Sequence, residues 1–222
     1  MPGNAAVLFD VDGTLVDSNY HHALAWWEAL RQYGHTVPVA VTHRAVGMGT
    51  EQLLDHVLGD GRDQSETADL AAAHDALAGR FWPSLTPLPG AADLVRACAQ
   101  RGWRTVLASS ASARELQVLR RILDVDDALT AATSGDDVGE AKPAPDVVGA
   151  ALRKVSGDPQ RSVMVGDTVW DVRAARRAGV PCIGVLTGGF SRQELHTAGA
   201  VEVYESASVL LENLDGSALA RP

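Results

Sequence analysis

An apolar run, Val7-Leu8-Phe9, ends in Asp10-Val11-Asp12 and passes at once into Gly13-Thr14. Side chains two apart on a strand share a face. Asp10 and Asp12 are therefore expected to point into one space at a strand tip, where open α/β sheets place their ligands. Two close carboxylates repel unless a metal or a shared proton joins them, so the pair predicts a divalent cation and chemistry at that tip. Taken alone, the pattern reads equally well as a polar strand-to-turn ending, since Asp and Gly are common turn residues.

Three later segments carry similar chemistry. Val106-Leu107-Ala108 runs into Ser109-Ser110, whose hydroxyl and backbone N–H groups can hold anionic oxygens or cap a helix. Lys142 precedes Pro143 and is biased to extended backbone. It is one of two lysines among 19 basic residues, and a compact ammonium suits a transferring phosphoryl group, although an exposed loop lysine is the simpler reading. Val163-Met164-Val165-Gly166 ends in Asp167, with Asp171 four residues on. Asp167 is the stronger metal candidate. Asp171 can cap the helix expected to start near Thr168, or reach the metal shell.

The elements that must position these groups follow from periodicity. Residues 5–10, 104–108, 162–166 and 181–186 read as strands, 200–204 as an edge strand and 128–132 as a weaker one. Helical patterns between them predict a parallel sheet with helices on both faces. From about 17 to 85 no strand pattern is found. Residues 19–33, 50–58 and 64–82 read as helices there, and this span holds six of the seven histidines. The expected organisation is an α/β core of 1–16 and 86–222 with a helical cap, 17–85, inserted after the first strand as a lid over the strand tips.

Composition narrows the partners. At 222 residues with 46% hydrophobic and 21% charged side chains, the chain is an ordinary globular protein. A net charge of −9 argues against nucleic acid and against an anionic membrane surface. Cys98 and Cys182 have no partner spacing and are expected as buried thiols in a reducing cytoplasm. No leader and no run of membrane-spanning length is found. A monomer is favoured.

Taken in order, Asp10-Val11-Asp12-Gly13-Thr14, Ser109, Lys142 and Gly166-Asp167…Asp171 resemble the four motifs of the haloacid dehalogenase-like phosphohydrolases, essentially end to end. The inserted helices resemble the small α-helical cap of the phosphoglycolate phosphatase and β-phosphoglucomutase group. The resemblance implies a Rossmann-like core, Asp10 as nucleophile through an aspartyl-phosphate, and Asp12 as general acid and base. It implies Mg²⁺ held by Asp10, the Asp12 main-chain carbonyl and Asp167, with Ser109, Ser110 and Lys142 on the phosphate of a small phosphorylated metabolite. Such a metabolite would be 2-phosphoglycolate or a sugar phosphate.

Departures within the family separate its branches. Asp12 argues against dehalogenation, whose enzymes lack the second acid. The absence of lysine between 17 and 85 argues against phosphonate hydrolysis through a Schiff base. His22 stands at the offset of a mutase hinge histidine, whereas Gly166-Asp167 is the phosphatase pairing. Gly47-Met48-Gly49 resembles a cap specificity loop, or is a turn between helices. Arg44 beside it is expected to meet a second anionic group of the substrate. A non-catalytic binding module on the same fold is the remaining alternative.

Overall fold

The computed structural model describes residues 4–137, 139 and 142–222. Ala141, which opens the Lys142 motif, lies outside the described residues. Six strands, β1 Ala6–Phe9, β2 Arg104–Ala108, β3 Ala131–Thr133, β4 Val163–Gly166, β5 Cys182–Val185 and β6 Glu202–Tyr204, form one parallel sheet in the order β3-β2-β1-β4-β5-β6. The weak strand expected at 128–132 pairs instead over 131–133, at the edge opposite β6.

Helices α1 Asn19–Gln32, α2 Val39–Ala45, α3 Thr50–Leu58 and α4 Thr67–Ala78 follow β1. Helices α5 Ala91–Gln100, α6 Ala113–Leu123, α7 Asp146–Val155, α8 Val169–Arg177, α9 Arg192–Ala198 and α10 Ala207–Glu212 alternate with the later strands. The helix expected over 64–82 is α4, flanked by single 3-10 turns at 64–66 and 82–84. Helix α2 was not anticipated. It starts after Pro38 and is seven residues long, too short for an apolar periodicity to stand out.

The apolar strands are explained by burial on both faces, as a parallel sheet requires. In β1, Val7 and Phe9 pack with Leu94 of α5 and Leu119 of α6, while Ala6 and Leu8 pack with Val148 of α7 and Val172 of α8. Helices α1, α3 and α4 share a separate cluster around Trp26, Leu30, Leu53 and Leu70. The two chain segments that join this helical unit to the sheet pair with each other: Leu88 N–H donates to Leu15 C=O and Asp17 N–H to Thr86 C=O. Among the described residues no helix is long and apolar enough to cross a membrane.

The register brings the tips together. Phe9 is level with Leu107 of β2 and Val165 of β4, so Asp10, Ser109 and Asp167 leave the same edge of the sheet. Asp10 N–H still donates to Val165 C=O at 2.9 Å.

Candidate active site

Asp10 and Asp12 lie beyond the last strand residue, so their alternation is set by the turn. Both line one cleft of about 300 Å³ between the sheet tips and the helical unit, but their carboxylates have different partners. Asp10 faces the core: Lys142 Nζ donates to its Oδ1 and Thr14 Oγ1 lies 3.4 Å from its Oδ2. Asp12 faces the helices: Ser18 Oγ donates to its Oδ1 at 2.5 Å, and His22 Nε2 is 3.3 Å from the same oxygen.

Around Asp10 the acids are crowded. Carboxylate oxygens of Asp10, Asp167 and Asp171 lie within 4.8 Å of one another, a grouping that could hold a metal ion. The Asp12 side chain is outside that group. Asp167 is fully buried, and its oxygens accept from Thr14 Oγ1 and Asn19 Nδ2, each at 2.6 Å. Both donors are neutral. The cation closest to the group, Lys142, is 1% exposed and stands 2.7 Å from Asp171 Oδ1 as well as against Asp10.

One ammonium among three buried carboxylates leaves negative charge unbalanced. Burial pushes Asp10 up to about 7, with Lys142 opposing and Asp171 adding to the rise. Burial, then Asp171 and Asp10, raises Asp167 well above the usual carboxylate range. The same charges hold Lys142 firmly protonated. Asn19 Oδ1 beside Asp167 is buried and has no hydrogen-bond partner. Hard oxygen donors with surplus negative charge fit Mg²⁺.

Asp171 also closes the start of α8. Its Oδ2 accepts from Thr168 N–H and Oγ1, while its own N–H donates to Thr168 Oγ1. Asp171 therefore caps the helix and also stands in the carboxylate group that could hold a metal ion. Gly166 is required here, since a Cβ on it would sit 2.5 Å from the Asp171 Cβ.

The two serines divide their work. Ser109 is buried and its Oγ accepts from Ala111 N–H at 3.0 Å, closing the turn after β2. Ser110 lines the cleft, and its Oγ is buried without a partner. The loop Gly47-Met48-Gly49 also lines the cleft. Gly47 takes a positive φ of 96° against Thr168, and Gly49 N–H donates to Lys142 C=O at 3.3 Å, so the loop rests on the elements that hold the acids.

Arg44 does not reach the cleft, contrary to the sequence expectation. Its guanidinium pairs with Glu194 and stacks on Phe190, 3.7 Å from the ring centroid. Helix α2 turns it outward, whereas a loop at that point would have left it free to face inward.

Three residues that sequence reasoning passed over hold the groups of this site, Glu115 and His74 lining the cleft and Asn19 buried behind it. Glu115 of α6 lies 3.6 Å from His22 Nε2. His74 Nε2 is 3.1 Å from His22 Nδ1, and its own Nδ1 is 3.1 Å from Asp75. Asn19 binds Asp167. Burial lowers the pKa of His22, but the Glu115 charge and the Asp12 contact outweigh it and raise the imidazole to about 9. Burial likewise raises Asp12, and His22 and Ser18 outweigh that, holding it below the usual range. His74 is lowered by burial, so it accepts from protonated His22 and donates to Asp75. Only the crowding of histidines into the inserted segment hinted at this.

The sequence model of the haloacid dehalogenase-like hydrolases matches residues 5–179. The chain belongs to this family. A phosphoglycolate phosphatase of Rhodospirillum rubrum is 31% identical over 92% of this chain and 88% of its own. A solved hydrolase from Pseudomonas syringae superposes with a TM-score of 0.91 at 31% identity, covering 96% of this chain and 98% of the other. A CbbY variant from Rhodobacter sphaeroides, in complex with xylulose-(1,5)-bisphosphate, superposes with a TM-score of 0.75 at 28% identity over 92% and 95% of the two chains. As a member of the haloacid dehalogenase-like hydrolases with phosphatase relatives along its length, the protein is a phosphatase.

Proposed function

We propose that this phosphatase hydrolyses a small sugar phosphate in a Mg²⁺-dependent reaction through an aspartyl-phosphate on Asp10, with residues 17–85 acting as a cap over the core of 1–16 and 86–222. The observation that carries the mechanism is a buried Asp10 held by Lys142 beside surplus acid, with Asp12 at the same cleft but bound to a separate proton source. An Asp10 oxygen attacks phosphorus, and the leaving oxygen takes the proton held by the Asp12–His22 pair. Asp12 then takes a proton from water as that water attacks the aspartyl-phosphate, freeing phosphate and Asp10. Lys142 and the unpartnered Ser110 hydroxyl hold phosphate oxygens, with Ser109 shaping the turn that presents them. Asp10, Asp167 and the Asp12 carbonyl would hold Mg²⁺, which offsets the charge on the carboxylates and the phosphoryl group.

The test is phosphate release from a panel of phosphomonoesters with and without Mg²⁺. Metal-independent release rules out the metal role. Conversion of β-glucose 1-phosphate to glucose 6-phosphate without net release makes the protein a mutase, and no turnover at all supports the binding module. Metal binding also has a pH signature. Raised from 3.8 to about 7, Asp10 favours the metal-free fold in its protonated form, and that stability is lost as pH rises through about 7. Mg²⁺ is therefore expected to raise the melting temperature far more at about pH 8 than at about pH 5.5, where protons compete for the same oxygens. An equal shift at both would sink this arrangement.

The choice of a sugar phosphate over 2-phosphoglycolate rests on the charge of the cleft. Apart from Lys142, which is buried behind Asp10 and committed to the phosphate, no Arg or Lys stands at this cleft among the described residues, whereas Asp75, Glu115 and Asp136 line it. His22 is already engaged by Asp12 and Glu115. A substrate carboxylate would meet these acids unpaired, while sugar hydroxyls would donate to them. Pentose or hexose phosphates are expected to exceed 2-phosphoglycolate in kcat/KM by about ten-fold or more, roughly the 1.4 kcal/mol of one unfavourable charge contact. Glu115→Gln should narrow the gap, and a wild-type preference for 2-phosphoglycolate would overturn the assignment.

A further inference from the structure

A larger groove, about 790 Å³, lies on the outer side of the contact between the helical cap and the core. The cap contributes Arg44 and His56, and the core contributes Arg173, Arg176 and Arg177 of α8, with Glu194 of α9 as the single carboxylate. In a chain of net charge −9, four guanidinium groups around one cavity form a local reversal of sign. Glu194 is used by Arg44. Arg177 is held by Pro143 C=O at 2.7 Å. Arg173 lies over the Trp170 ring at 4.8 Å, and neither it nor Arg176 has a carboxylate partner among the described residues. Arginines three and four apart on one helix face repel, so this face is improved by an anion that joins them.

The groove is also continuous with the cap–core joint. The Trp170 indole Nε1–H donates to Arg44 C=O at 3.0 Å, and His56 meets the same indole edge-on. Trp170 neighbours Asp171, whose partner is Lys142.

We propose that this groove is an anion site, separate from the catalytic cleft, that takes a ligand with two or more linked phosphate groups. Guanidinium forks match phosphate oxygens in pairs, and the spread of Arg44, Arg173 and Arg176 around the cavity calls for more than one phosphate. A ligand that joins Arg44 of the cap to Arg173 and Arg176 of the core favours the closed cap, which a lid enzyme must open to release product. The chemistry is shared by a free polyphosphate and by a nucleoside polyphosphate, whose base would reach Trp170 or Phe190.

The experiment is a calorimetric titration of the whole protein with tripolyphosphate, and separately with ATP, in EDTA. Without metal the catalytic cleft presents its carboxylates unscreened and repels polyanions, so binding reports on the groove. Saturable one-to-one binding is expected, and it should weaken about ten-fold or more in Arg173→Gln/Arg176→Gln. Phosphate release by that variant without polyphosphate should equal wild type. ATP binding more tightly than tripolyphosphate assigns a base contact, and equal binding assigns the phosphate chain alone. Absent binding, or equal binding to wild type and variant, overturns the site. The phosphatase mechanism stands or falls separately on the metal-dependent assay.

Discussion

Asp10→Asn is expected to abolish phosphate release, a fall of roughly 10⁴-fold or more in kcat, because an amide lacks the nucleophilic carboxylate oxygen. The substitution preserves shape. It keeps an oxygen that can accept from Lys142, whose ammonium also retains Asp171 Oδ1 at 2.7 Å. It removes one of the three acids crowded at the candidate metal site, so the metal-free variant should melt no lower than wild type above neutral pH, where Asp10 would otherwise be ionised. Inactivity thus cannot be ascribed to unfolding. Acid-quenched wild type should carry one phosphoryl group by mass and the variant none. Release at the wild-type rate by the variant would remove the covalent mechanism.

Lys142→Met is the second large effect, and it differs in kind because it costs both stability and activity. The side chain is 1% exposed and lies against Asp10 and Asp171. Removing one partner of a buried pair leaves the other charge uncompensated, a loss of about 3–5 kcal/mol. The loss should appear as a lowered denaturation midpoint in EDTA and should shrink as pH falls, since Asp10, raised to about 7, then takes up a proton. Mg²⁺ should recover part of the stability. Turnover should stay about 10²–10³-fold down even with metal, because one positioned donor to the transferring phosphoryl group is gone. A variant as stable as wild type in EDTA would show that the buried acids are not balanced by this lysine.

These effects concern residues that sequence alone already singled out. Apolar runs bounded by Asp, Ser or Gly located the main strands closely, since a strand buried on both faces leaves a continuous apolar signature. The strand tips then followed, and with them Asp10, Ser109 and Asp167, while Lys142 stands in a turn nine residues beyond the end of β3. Edge strands and short helices were less clear. The strand at 131–133 is only three residues long, with Ala131 and Ala132 partly exposed and Thr133 buried, and α2 spans too few turns to show a period.

What the order of residues determined, then, was the chemistry: which acids, which lysine, and that Asp10 and Asp167 stand at the ends of apolar strands. The contacts of those groups were decided by tertiary structure, because each partner comes from a distant part of the chain. Asp12 alternates locally with Asp10, yet the turn after β1 sends it to His22, and α6 brings Glu115 to the same imidazole. Arg44 sits two residues before the Val46-Gly47-Met48 turn, yet the one face that α2 buries directs it outward to Glu194. Spacing along a chain records which side chains can share a strand or helix face. It does not record how two packed units rotate against each other, and here that rotation determines the charge of the cleft, and so the class of substrate it admits.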